Sequence, residues 1–166
     1  MMFPIKEAIK DYTALGGISL FALFIVIFIA SGGFIMAGRL ALALALIYII
    51  VIIIRLFYFK ERPKKRKFKN IVEKVDASSF PSMHSARAAA LALILGSETT
   101  LLVFIILMLT ALGVGIARIL MKRHDWIDVS FGFILGLVVA YIAMAIVSPL
   151  PGMCEFLNPI TCFHFN

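Results

Sequence analysis

Five strongly apolar runs of this chain carry no charged residue: 12–38, 40–54, 88–97, 99–117 and 129–154. Crossing the hydrocarbon core of a bilayer takes about 20 predominantly apolar residues in a helix. The first, fourth and fifth runs reach that length unaided. The second reaches it when Arg39 and Arg55 snorkel at its two ends. The third is short, and serves as a span when its polar first turns, from Pro81 on, face protein or a water-filled cavity. Five spans are therefore predicted, at about 12–33, 36–57, 81–96, 99–121 and 126–147, in an all-α polytopic membrane bundle. A composition that is 63% hydrophobic excludes an ordinary soluble domain. The 166 residues form one domain, 1–166.

The run 12–38 is too long for a signal-peptide core, and no clear cleavage site follows it, so it reads as a retained span. The net charge of +7 lies mostly in one loop, 58–80, which holds eight Lys and Arg residues. Beside a membrane such a loop is a topology signal and attracts anionic head groups, so nucleic acid is not the expected partner. Part of the loop is predicted to lie at the interface as a basic helix. With five spans, the N-terminus, this loop and the 121–125 loop share one side. The positive-inside rule makes that side cytoplasmic. Gly132-x3-Gly136 lets another helix approach closely, most simply inside the same bundle. Cys154 and Cys162 either close a small disulfide loop in the tail or stand as two thiols.

Three polar clusters sit at the mouths of the predicted spans, all on that side. They are Arg55-x6-Arg62-Pro63, Pro81-Ser82-Met83-His84 and Arg118-x5-His124-x3-Asp128. Ionisable groups at such places are expensive and mark functional sites by default. His124 and Asp128 fall one turn apart if the helix begins at 124, so that Asp128 can fix the imidazole tautomer and leave the other nitrogen as a nucleophile. Lys122 and Arg123 favour the neutral ring. His84 lies in the first turn after Pro81, where outward N–H groups and the Ser82 hydroxyl favour an anion, and it can act as a general acid. The arginines stay charged and bind phosphate oxygens in pairs. Taken singly, each feature has an ordinary role: a snorkelling arginine, a capping serine, an interfacial histidine. A hydroxyl cap at Ser78-Ser79, with Pro81 at the first helical position, is the expected start of the third span.

In this order the three motifs resemble the signature of the type 2 phosphatidic acid phosphatases, a family of integral-membrane lipid phosphatases. The resemblance covers residues 55–128 and is specific, because three motifs recur in sequence around membrane spans. It implies that His124 forms a phosphohistidine with Asp128 as partner and that His84 protonates the leaving group. It also implies that Arg55, Arg62, Ser82, the Met83 position and Arg118 hold the phosphate, with no metal or other cofactor. Arg55 stands where the family usually has lysine, Met83 where it has glycine, and Ala117 where it has serine. Members usually work on the extracytoplasmic face, which is the alternative to the cytoplasmic site that the charge count favours.

The expected function is hydrolysis of a lipid phosphomonoester or diphosphate, such as phosphatidic acid, phosphatidylglycerol phosphate or a polyprenyl diphosphate, in the plasma membrane. The partners are that lipid substrate and membrane lipids; the oligomeric state is open. One rival is a metal-dependent hydrolase that uses His84, His124 and Asp128 as ligands. The other is a non-catalytic protein whose basic loop binds acidic lipids.

Overall fold

The computed structural model describes residues 3–63 and 69–148. Its elements are α1 (Phe3–Thr13), a 3-10 turn at Ala14–Gly16, α2 (Ile18–Ala30), α3 (Phe34–Phe57), α4 (Ile71–Ala77), α5 (Met83–Gly96), α6 (Leu101–Leu120) and α7 (Trp126–Ile146). The protein is an all-helical polytopic bundle. By length and composition α3, α6 and α7 can each cross a membrane. A fourth crossing is available if the N-terminal pair, bent by 46° at Gly17, forms one span. The outer faces are apolar: Leu101, Leu109, Leu120, Trp126, Ile134 and Tyr141 are all exposed. A surface of that kind belongs in lipid, and this is an integral membrane protein.

The third predicted span is α5, only 14 residues long. At 1.5 Å per residue it rises about 21 Å, short of the ~30 Å hydrocarbon core. Its surroundings explain why that length suffices. Residues 85–92 are all buried, and α5 packs against α7, α6, α3 and α2. A helix enclosed by its neighbours does not have to match the bilayer. Its alanines, Ala86, Ala88, Ala89, Ala90 and Ala92, make it thin on every side. Gly132 and Gly136 of α7 complete the fit. A side chain at Gly132 would run into the carbonyl oxygen of Ser82, and one at Gly136 into that of Ala86. The small-residue pair therefore serves packing within the bundle.

Neither arginine of the second span snorkels, contrary to expectation. Arg39 is buried and donates from Nη1 to Glu98 Oε1 at 2.7 Å and from Nε to the Val147 carbonyl at 3.0 Å. Arg55 is also buried and donates to the carbonyls of Pro81 and Val75 at 2.9 and 3.2 Å. Partners inside the protein replace the water that a snorkelling guanidinium would seek. The start of α5 also differs. Ser82, not Ser78 or Ser79, is its N-cap, accepting from Ser85 N, and the Phe80–Pro81 peptide bond is cis. The basic loop contributes the short helix α4, capped by the Asn70 side chain. Lys64 to Lys67, Cys154 and Cys162 lie outside the described residues.

Candidate active site

The bundle alternates direction. The end of α3, the start of α5, the end of α6 and the start of α7 therefore meet at one mouth, together with the 58–63 and 78–82 segments. The start of α7 is built locally. Asp125 is the N-cap; its side chain accepts from Asp128 N at 3.0 Å, and the Asp128 side chain accepts from Asp125 N at 3.1 Å. This reciprocal capping box satisfies donors that a helix start would otherwise leave unpaired. It begins the helix at Trp126, so His124 precedes the helix and is not one turn below Asp128 on it.

That shift changes the partner of His124. Its Nδ1 lies 2.8 Å from the Ser79 carbonyl oxygen and 3.7 Å from Asp128 Oδ2. A carbonyl only accepts, so Nδ1 donates the hydrogen bond and Nε2 carries the lone pair of the neutral ring. The expected direct bond to Asp128 is thus replaced by a main-chain acceptor, with the carboxylate just beyond. The Asp128 side chain is fully buried and meets Lys60 Nζ at 2.8 Å; Lys60 Nζ also meets Asp125 Oδ2 at 2.5 Å. Burial pushes the His124 imidazole below its ordinary value; the hydrogen-bonding influence of Asp128 opposes this, and Arg118 and Arg62 add to it. Burial also disfavours the Lys60 ammonium, but its hydrogen bonds to Asp125 and Asp128 outweigh that and raise its pKa.

Arg118 ends α6 and is 9% exposed; its Nε is buried without a hydrogen-bond partner among the described residues. Arg55 Nε is in the same condition, although its other nitrogens bond carbonyls. An arginine left this way is ready for an acceptor from outside the protein. Arg62 donates to the Asp76 carbonyl. Ser82 is buried, and its backbone N–H donates to the Asp128 carbonyl at 3.0 Å, tying the start of α5 to α7. The Met83 side chain packs against the core, so this position offers only its backbone N–H, at the first residue of the helix.

His84 stands within electrostatic reach of Arg118, Arg87, His124 and Arg62, so all three motifs converge on it. Arg87 comes from no motif. It is buried, and its Nη2 faces His84 Nδ1 at 3.5 Å. Its other donors bind the Gly16 carbonyl at 2.9 Å and the Tyr48 hydroxyl at 2.7 Å. The sequence reading missed Arg87, Lys60, Asp125 and Ser79. A charge amid alanines was a usable signal for Arg87, and the Asp-x2-Asp box for Asp125. Nothing local marked Lys60 or the Ser79 carbonyl. Among the described residues, no three His, Cys, Asp or Glu side chains gather as a metal-holding group.

Unpartnered arginine donors, a neutral histidine and a second histidine thus meet at the mouth of an apolar bundle, an arrangement that can hold an anion and offer it a nucleophile. The comparisons agree. The PAP2 superfamily profile matches residues 36–150, and the chain belongs to that superfamily. It is similar to a solved structure, the crystal structure of LpxE from Aquifex aeolicus. The two are 26% identical, the match covers 87% of this chain and 88% of that one, and the TM-score is 0.69. The protein is an integral-membrane lipid phosphatase.

Proposed function

We propose that it hydrolyses a lipid phosphomonoester or diphosphate through a phosphohistidine on His124, without a metal. The observation that carries this is the 2.8 Å contact between His124 Nδ1 and the Ser79 carbonyl, which leaves Nε2 as the nucleophile beside Arg118. Arg118, Arg62, Arg55 Nε, Ser82 and the Met83 N–H hold the phosphate oxygens. His124 Nε2 attacks phosphorus and the bond to the leaving oxygen breaks. His84, which takes up a proton once the bound anion offsets the surrounding arginines, gives that oxygen a proton. Water then attacks the phosphohistidine and returns a proton to His84; inorganic phosphate leaves and Nε2 is restored. Arginines supply the stabilising positive charge that a metal would otherwise bring.

The substrate belongs to the set of phosphatidic acid, phosphatidylglycerol phosphate and polyprenyl diphosphate. An apolar cleft of about 430 Å³ between α1 and α6 supports a lipid chain there. It is lined by Tyr12, Gly113, Ile116, Ala117 and Leu120, and Ala117 adjoins Arg118. The excess of basic residues around the site mouth favours a cytoplasmic-facing site in the plasma membrane.

The test is phosphate release from a panel of lipid phosphates by the purified protein, with and without chelator and vanadate. Activity in chelator, inhibition by vanadate and an acid-labile phosphoenzyme are expected. Activity lost in chelator and restored by zinc or magnesium refutes the metal-free mechanism.

A further inference from the structure

The motifs assign Lys60 nothing; it falls inside the spacer between Arg55 and Arg62. Yet it contacts both residues that supply acceptors around His124 Nδ1. Its Nζ holds Asp128 Oδ1 at 2.8 Å, and its backbone carbonyl accepts from Ser79 N at 2.8 Å. Ser79 is the residue whose carbonyl takes His124 Nδ1, and its hydroxyl donates to the neighbouring Glu61 carbonyl at 3.3 Å. One residue thus seats the main-chain acceptor with its backbone and the carboxylate with its side chain.

We propose that Lys60 is the positioning residue of the nucleophile, holding His124 in its neutral, Nδ1-protonated form by neutralising Asp128. This rests on His124 being the nucleophile. The physical argument concerns charge. The Asp128 side chain is fully buried, with its other oxygen 3.7 Å from the imidazole. An unpaired carboxylate there would draw a second proton onto the ring and remove the attacking lone pair. It would also compete with the Ser79 carbonyl for Nδ1–H and turn the ring. The ammonium on Oδ1 cancels most of that pull.

The groups facing this pair come from every adjoining element. Lys60 and Arg62 lie on the 58–63 segment, Arg118 on α6, and Asp125 and Asp128 at the start of α7; Arg55 on α3 and His84 on α5 also act on the pair. The remaining charges are mostly cationic, so Lys60 is not needed to attract phosphate. Its assignment is to the carboxylate.

The experiment compares kcat/KM against pH for the full-length wild-type protein, Lys60→Met and Lys60→Arg, in lipid vesicles. The Lys60→Met change should move the acidic limb upward by about one pH unit. It should lower kcat about tenfold at a pH on that limb, with KM changed less than about twofold and activity recovering at higher pH. Lys60→Arg should keep the wild-type limb. If Lys60→Met does not fold, Lys60→Gln, which keeps a donor to Asp128 without the charge, should show the same upward limb. An unmoved limb in a folded neutral variant overturns the proposal. So does a loss confined to KM, which would make Lys60 a phosphate ligand. The parent reading fails separately: a His124→Ala protein that still forms the phosphoenzyme removes the nucleophile whatever Lys60 does.

Discussion

Each end of the bundle buries an arginine, and the two arginines live differently. At the far end Arg39 spends its donors on Glu98 and Val147, stitching α3 to the α5–α6 turn and to the end of α7. At the site end Arg118 is 9% exposed, with a buried Nε that no described residue satisfies. A buried charge that is fully partnered joins elements together. One left with donors to spare is suited to receive an anion. The contrast extends to the carboxylates. Glu98 is shared with solvent, whereas the Asp128 side chain is enclosed and answers to Lys60 and a helix cap.

The hardest break to the site end is His124→Ala. Turnover should fall by roughly four orders of magnitude or more, beyond the ~10²–10³ of losing one stabilising donor. Near-normal phosphate release from the folded variant would make this end structural like the other.

Asp128→Asn comes next. The amide keeps the shape but cannot balance Lys60 or support the imidazolium. A loss of roughly 10²–10³ in kcat is expected in a protein that still folds. An unchanged kcat would reduce Asp128 to a helix cap.

Paired substitutions test the comparison itself. Arg118→Met should lower kcat/KM by roughly 10²–10³ while leaving resistance to unfolding in detergent intact or improved. Arg39→Met should do the reverse, with a near-normal kcat in the folded fraction and a loss of about 1–3 kcal/mol in stability. Equal effects of the two would erase the distinction.

The pH profile sharpens it further. With the His124 pKa lowered, the ring stays neutral until the pH falls below the ordinary histidine value of ~6.5, and only then loses its lone pair. The acidic limb of kcat/KM should therefore lie below about 6.5, provided no other group titrates there first. A limb above that value would mean that Asp128 outweighs burial. The mildest change is Ile116→Trp, which narrows the α1–α6 cleft. It should raise KM severalfold for long-chain substrates and little for a short-chain analogue, as a lost apolar contact of ~1–2 kcal/mol would. Equal KM values would place the lipid chain elsewhere.

The sequence by itself determined the membrane bundle, because charge-free length is local and the bilayer tolerates little besides helices there. It also determined that the three motifs gather, since alternating spans bring 55–62, 81–84 and 118–128 to one mouth, though not that Arg87 joins them. The Gly132-x3-Gly136 approach was legible because it is written within two turns; the Asp125–Asp128 cap is just as local, yet it overturned the expected helix start at 124. What only the tertiary structure decided is how the charges pair. Lys60 reaches Asp128 across 68 positions, Ser79 reaches His124 across 45, and Arg39 reaches Glu98 across 59. No local pattern encodes those partners. A guanidinium at a span end is equally consistent with water, a carbonyl, a carboxylate or a phosphate. The choice follows from which groups the enclosed α5 and its neighbours leave within 3 Å when they close.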